Sequence, residues 1–201
     1  MMIHALPGMG ADQRMYPEPW SSLPNFSAHD WPVYSGRHSI HEIAEAVCTL
    51  WNVGDGDVLV GSSLGGMVAC ELTKMRRIPV VYLVGSALKK EEVNGLLRLL
   101  HPLAQYAPLE LLQRSAGKIP TELAQMFAGV DPEFIRASCA AIFQWEGGVG
   151  EGTRVVRLHG LRDPVIPPPA VADLWVDGGH LIALTHAGEC ATFVGADLGA
   201  R

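Results

Sequence analysis

Short runs of apolar residues alternate with segments of helical periodicity along most of the chain. Uninterrupted apolar runs of four to eight residues, bounded by turn residues, are typical of strands that are buried on both faces. A sheet covered on both faces in this way is usually parallel. The predicted strands span residues 3–6, 28–34, 57–61, 79–85, 154–159 and 172–176. Pro32 weakens the prediction of the second strand, because proline cannot donate to a strand ladder.

The segments between these strands have the spacing of amphipathic helices. The first begins after Ser39, where Ser39 and Glu42 have the spacing of a capping box, and it ends near Asn52 and Gly54. Further helices are predicted over residues 64–76 and 181–196. The alternation predicts an α/β fold whose mostly parallel, doubly wound sheet has about six strands.

Residues 87–150 depart from this alternation, because they contain no convincing strand. The stretch is rich in Leu and Ala and is interrupted by prolines at 102, 108, 120 and 132. Several short helices fit it best, one of them starting with Asp131 as N-cap and Pro132 at the first helical position. We therefore predict a single domain, residues 1–201, that carries a helical cap insertion over residues 87–150.

Composition supports one globular domain and excludes several functional classes. The 201 residues are 48% hydrophobic and 18% charged, with a formal net charge of −6. No basic run predicts nucleic-acid binding, and no apolar stretch reaches the roughly 20 residues that span a bilayer. The N-terminus, MMIHALPGMG, lacks the features of a signal peptide, and a cytoplasmic location is predicted. We expect buried free thiols and no metal site from the four cysteines, Cys48, Cys70, Cys139 and Cys190.

The strongest chemical signal is a G-x-S-x-G motif centred on Ser63. Gly61 and Gly65 flank it, an apolar strand precedes it, and an apolar helix follows it. Small residues two positions to either side allow strand and helix to approach, so that the turn lifts the serine hydroxyl above the strand ends. Ser63 is the predicted nucleophile; the adjacent Ser62 lacks the symmetric glycine spacing. A glycine-rich turn without catalysis remains the structural alternative.

A serine hydroxyl needs a base to become a nucleophile, and the base needs an acid to orient it. His180 follows the last predicted strand, and Asp163 follows the strand before it. Both positions lie at the carboxyl edge of a parallel sheet, where α/β proteins bind ligands. Asp177 is the rival acid. The remaining histidines are expected to be non-catalytic: His4, His29, His38, His41, His101, His159 and His186.

Three motifs give the chain a resemblance to compact α/β-hydrolases, the esterases and thioesterase-like enzymes that include the biotin-pathway carboxylesterase. GSSLGG resembles the family's nucleophile elbow, HGLRDPVIP its acid loop, and GGHLIALTHAGECATFV its histidine loop and last helix. The resemblance implies a core that lacks the family's first two strands. Pro7-Gly8-Met9 takes the place of the family's His-Gly-x oxyanion loop, which implies an oxyanion hole made by the backbone N–H groups of Met9 and Leu64.

These residues predict hydrolysis of a small-molecule carboxylic ester or thioester through an acyl-enzyme, with no cofactor. Two other functions stay open. One is a carbon–carbon lyase or synthase of the menaquinone-pathway type, which would use the same triad to abstract a proton. The other is a non-catalytic binding protein on this fold. The acyl group, the leaving group and the oligomeric state are not fixed by the sequence.

Overall fold

The core of the protein is a parallel sheet, seen in a computed structural model that describes residues 1–36, 39–94 and 121–200. Within these residues the sheet has six strands: β1 (Ile3–Leu6), β2 (Phe26–Ala28), β3 (Val58–Ser62), β4 (Val80–Val84), β5 (Arg154–Gly160) and β6 (Leu174–Val176). Their order is β2-β1-β3-β4-β5-β6, and each neighbouring pair is parallel. The α/β fold with a parallel sheet of about six strands is confirmed.

Helices cover both faces of this sheet. They are α1 (Ile40–Leu50), α2 (Leu64–Met75), α3 (Glu122–Gly129), α4 (Pro132–Gln144), α5 (Ile182–Thr185) and α6 (Ala187–Gly199). The described residues also include three single-turn 3₁₀ helices, at Gln13–Met15, Trp20–Ser22 and Lys90–Glu92. No helix in the described part of the chain is long and apolar enough to cross a membrane.

Strands β1, β3 and β4 are buried along their whole length, and β4 is apolar throughout. In β4, Val81 and Leu83 pack into the core cluster that includes α1 and α2. Val80, Tyr82 and Val84 alternate with them and pack into the second cluster, which includes α6. Each such side chain, fully removed from water, contributes about 1.5 to 3 kcal/mol of hydrophobic stabilisation.

Helix α1 begins where the capping box predicts. The Ser39 hydroxyl accepts a hydrogen bond from the Glu42 N–H at 3.1 Å, and the Glu42 carboxylate accepts one from the Ser39 N–H at 3.0 Å. Ile40, Ile43 and Val47 follow at helical spacing and are buried against the sheet. The local sequence thus sets both the start of α1 and its buried face.

Two predicted boundaries are wrong. Strand β2 covers Phe26–Ala28 and not residues 28–34, because the chain leaves the sheet at His29 and Pro32 has no N–H for a ladder. The predicted helix over 181–196 is two helices, α5 and α6, separated at His186. The backbone of His186 is not helical, with φ −131° and ψ 38°.

The structure describes part of the predicted helical cap. Helices α3 and α4 lie in it, and the Asp131 carboxylate caps α4 by accepting a hydrogen bond from the Glu133 N–H at 2.8 Å. Residues 95–120 of the predicted cap lie outside the described residues, so its extent over 87–150 stays a prediction. The four cysteines are free, as expected: Cys48, Cys70 and Cys190 are buried and Cys139 is partly buried.

A pair of histidines lies near the amino edge of the sheet. His4 Nδ1 lies 3.0 Å from His29 Nε2, and His4 Nε2 lies 3.3 Å from the Asp57 carboxylate. His29 also stacks on Trp51 with ring centroids 4.2 Å apart. Burial and the neighbouring His4 lower the pKa of His29 from 6.5 to about 4, against an opposing effect of Asp30. The folded protein therefore favours neutral His29.

From the lowered pKa of His29 we predict that the free energy of unfolding decreases in acid. Below about pH 6.5 the unfolded chain binds a proton that folded His29 does not bind until about pH 4. We expect this group to remove about 1 to 2 kcal/mol of the free energy of unfolding across that window, less than the full shift because His29 is partly exposed. Chemical denaturation from pH 7.5 to pH 4 should show a shallower fall for His29→Gln than for wild type. His41→Gln, at an exposed helix position, is the control; equal slopes for His29→Gln and wild type would contradict the prediction.

Candidate active site

The site lies where the order of the strands reverses. From β1 the chain crosses to β2 on one side, and then returns past β1 to β3 on the other. The carboxyl ends of β1 and β3 are therefore neighbours, with Leu6 paired to Gly61. In an open α/β sheet, the carboxyl ends of the strands at such a reversal point are the usual place for a ligand.

Ser63 forms a strained turn between β3 and α2. Its backbone has φ 52° and ψ −121°, a region that residues with side chains rarely adopt and that costs of order 1–3 kcal/mol. A Cβ on Gly61 would lie 2.4 Å from the Cα of Gly66, and one on Gly65 would lie 2.3 Å from the carbonyl oxygen of Leu6. The glycines of the motif are thus required by close contacts of the elbow with itself and with β1.

The structure brings the three predicted side chains into one hydrogen-bonded row. His180 Nε2 lies 2.9 Å from Ser63 Oγ, and His180 Nδ1 lies 2.8 Å from Asp163 Oδ2. These residues come from three separate loops at the carboxyl edge of the sheet. With the proton on Nδ1 donated to the carboxylate, Nε2 is free to accept the hydroxyl proton of Ser63.

Asp163 is held as a buried carboxylate. Its Oδ1 accepts hydrogen bonds from the N–H groups of Val165 at 2.8 Å and Ile166 at 3.0 Å. Burial tends to raise the pKa of Asp163, but the hydrogen bond and charge of His180, with these two N–H groups, hold it below its usual value. The fully buried His159 contacts the same loop, with its Nε2 2.8 Å from the carbonyl oxygen of Ile166. The contacts with His180, Val165 and Ile166 thus favour the ionised form of Asp163 and hold its carboxylate in place.

The two rival residues point elsewhere. The Asp177 carboxylate is exposed and forms an ion pair with the Arg162 guanidinium at the surface. The hydroxyl of Ser62 is buried without a hydrogen-bond partner among the described residues. Of the four candidates, Ser63 and Asp163 are therefore the two that contact His180, one at each ring nitrogen.

Sequence reasoning missed two small residues after β4 that support the elbow. The Ser86 hydroxyl donates a hydrogen bond to the carbonyl oxygen of Ser63 at 2.6 Å, and a Cβ on Gly66 would lie 2.2 Å from that hydroxyl. Gly85 has φ +55°, and a Cβ there would lie 2.7 Å from the carbonyl oxygen of His180. The signal that could have found them is a Gly-Ser pair at the end of the strand next to the elbow.

The loop after β1 lies against Ser63. A Cβ added to Gly8 would be 3.4 Å from Ser63 Cβ, so Met9 follows directly beside the elbow. Within the described residues, neither the N–H of Met9 nor that of Leu64 donates to a protein acceptor. Backbone N–H groups without a protein acceptor are the kind of donor that a developing oxyanion requires.

The chemistry that this arrangement can perform is nucleophilic attack by an oxygen whose proton is accepted by a neighbouring imidazole. In residues 1–36, 39–94 and 121–200, no group of three His, Cys, Asp or Glu side chains is arranged to hold a metal ion.

Comparisons with known proteins agree with this fold. The family profile described as "Alpha/beta hydrolase family" matches residues 3–194. The chain is similar to the enol-lactonase from Burkholderia xenovorans LB400, with a TM-score of 0.77, 16% identity, and coverage of 100% of this chain and 91% of that one. It is also similar to a hydrolase from Pseudomonas aeruginosa PA01, with a TM-score of 0.75, 14% identity, and coverage of 98% and 89%. A third similar structure is a malate-bound thermophilic esterase from Thermogutta terrifontis, with a TM-score of 0.70, 16% identity, and coverage of 100% of this chain and 90% of that one. A comparison with curated proteins found no significant match.

Proposed function

The chain belongs to the alpha/beta hydrolase family, and we propose that it is a serine hydrolase that cleaves a small carboxylic ester or thioester. The observation that carries the proposal is the row Ser63–His180–Asp163, whose two hydrogen bonds of 2.9 and 2.8 Å join nucleophile, base and acid. The similar structures include an esterase and an enol-lactonase, and this likeness favours ester chemistry.

In the first half of the reaction, Ser63 Oγ attacks the carbonyl carbon of the substrate. The hydroxyl proton passes to His180 Nε2 as the new C–O bond forms, and the carbonyl π electrons move onto oxygen. When the tetrahedral intermediate collapses, the bond to the leaving group breaks. The leaving alkoxide or thiolate takes the proton from the His180 imidazolium, and an acyl-enzyme remains on Ser63.

In the second half, water replaces the alcohol or thiol. His180 accepts a proton from the water molecule, the resulting oxygen attacks the acyl-enzyme, and the proton returns to Ser63 as the acid product leaves. Asp163 stays ionised throughout and stabilises the imidazolium twice in each cycle. We assign the oxyanion hole to the N–H groups of Met9 and Leu64, which flank Ser63 and have no protein acceptor in the described structure.

The carbon–carbon lyase and the binding protein remain the competing functions, and they differ in one respect that can be measured. A lyase on this triad abstracts a proton and forms no acyl-enzyme, while a binding protein has no reason to activate its serine. A reactive Ser63 that carries an acyl group is specific to the hydrolase.

The test is pre-steady-state hydrolysis of p-nitrophenyl acetate, followed by mass spectrometry of the quenched enzyme. We expect a burst of p-nitrophenolate close to one equivalent per chain, or a rapid steady state if deacylation is fast, with a fluorophosphonate adduct on Ser63 in parallel samples. The expected adduct lies on the peptide that contains Ser63, with Ser62 unmodified. Proton abstraction without acylation would favour the lyase, and an unreactive Ser63 would contradict the proposal.

A further inference from the structure

The peptide group between Gly8 and Met9 has unusual support on its carbonyl side. The Gly8 carbonyl oxygen accepts a hydrogen bond from Trp31 Nε1 at 3.0 Å and a second from the Ala11 N–H at 3.2 Å. The Gly8 N–H donates to Met15 Sδ at 3.2 Å. The loop beside Ser63 is thus held by contacts from several parts of the chain.

The Gly8 carbonyl and the Met9 N–H belong to the same amide. A trans peptide is planar and its C=O and N–H bonds point in opposite directions, so fixing the oxygen also fixes the direction of the N–H. A donor bound to the carbonyl also polarises the amide, which makes the N–H at its other side a better donor. A hydrogen bond at Gly8 O therefore acts on Met9 N–H.

Of the two donors to this oxygen, only Trp31 comes from outside the loop. Trp31 follows β2, and its ring lies against Phe134 of α4, with centroids 5.5 Å apart. Trp31 and Phe134 also line a cavity of about 390 Å³ between this segment and α3–α4. The indole thus connects the oxyanion-side peptide to a helix of the predicted cap.

We propose that Trp31 is a positioning residue for the oxyanion hole: its indole N–H holds the Gly8–Met9 peptide so that the Met9 N–H faces the oxygen of the tetrahedral intermediate. The inference rests on the proposed serine hydrolase function. It concerns orientation, because Trp31 acts through the peptide and has no contact of its own with the reacting atoms.

The decisive variant is Trp31→Phe, which keeps an aromatic ring against Phe134 and removes the N–H. We expect kcat for p-nitrophenyl acetate to fall about 10- to 100-fold with KM nearly unchanged, as when one oxyanion donor is weakened or displaced. The rate of fluorophosphonate labelling at Ser63 should fall similarly, since its phosphoryl oxygen occupies the same place. Trp31→His should recover part of the loss, because imidazole Nε2 superimposes on indole Nε1 when the five-membered rings are aligned.

Inhibitor binding separates orientation from a general structural role. An aryl trifluoromethyl ketone forms an oxyanion on Ser63, so its Ki should rise in parallel with the loss of kcat. The corresponding trifluoromethyl alcohol forms no oxyanion, and its Ki should stay within about twofold of wild type. The pH profile of kcat/KM should keep its shape, because the base is untouched. Trp51→Phe, a matched change next to His29, should leave all these quantities unchanged.

Several outcomes would overturn the role of Trp31. These are kcat within twofold of wild type for Trp31→Phe, equal weakening of ketone and alcohol, or no recovery in Trp31→His. Failure of the proposed function looks different, since wild-type protein would then resist fluorophosphonate and form no acyl-enzyme. The two failures are therefore distinguishable in one set of measurements.

Discussion

Replacing Ser63 by alanine is expected to lower kcat for an ester substrate by about three to six orders of magnitude, as removal of a triad member does. The strained elbow holds its Oγ 2.9 Å from His180 Nε2, and alanine leaves no atom there to attack a carbonyl. The fold should survive, because the change removes one oxygen from a partly exposed side chain. The measurement is turnover of p-nitrophenyl acetate by protein free of host esterase.

Ser62→Ala is the matched control, because it removes the same atom one residue earlier. Ser62 is buried and its hydroxyl has no hydrogen-bond partner in the described structure, so we expect activity within about threefold of wild type. Activity of Ser63→Ala within tenfold of wild type would exclude Ser63 as the nucleophile. A large loss in both variants would instead point to collapse of the elbow, which a thermal melt would reveal.

The elbow could be predicted from the sequence because its requirements are local. Close contacts of strand, turn and helix demand glycine at 61 and 65, and those contacts follow from the chain's own geometry over a few residues. The same holds for α1 and α4, whose starts are set by the side chains of Ser39 and Asp131 acting on the next turn. Such signals lie within about four residues of what they determine.

The order of motifs along the chain also places the site. Each strand of a parallel sheet ends at the same edge, so loops after β3, β5 and β6 must converge there, whatever the loops contain. Ser63, Asp163 and His180 each follow one of these strands. Their meeting could be expected from topology, while the choice of Asp163 over Asp177 depends on loop conformation and on the pairing of Asp177 with Arg162.

Contacts between side chains and distant backbone groups could not be predicted. Trp31 is 23 residues from Gly8, and Ser86 is 23 residues from Ser63, and no periodicity links either pair. The prediction of strand β2 was wrong for a related reason. Its three residues are fixed by pairing with β1 and not by a pattern of their own, so an apolar run further along was a better match to the template.

Asp163→Asn is expected to reduce kcat by about four orders of magnitude, by analogy with the same change in a protease triad. The amide can donate a hydrogen bond to His180 Nδ1, which would place the proton of the neutral ring on Nε2. That nitrogen then faces Ser63 as a donor and cannot accept the hydroxyl proton. The amide also carries no charge to stabilise the imidazolium.

Asp177→Asn is the control, since it makes the same chemical change on an exposed carboxylate that pairs with Arg162. We expect activity within about threefold of wild type, because a surface ion pair is worth at most about 1 kcal/mol. Both variants should be compared by kcat on p-nitrophenyl acetate and by thermal melting. Asp163 lies in a loop fixed by Val165 and Ile166, and the Oδ1 that accepts their N–H groups has a counterpart in asparagine, so the folded state should persist. A reversal, with Asp177→Asn the more damaging change, would make Asp177 the acid and would mean that the HGLRDP loop only supports the fold.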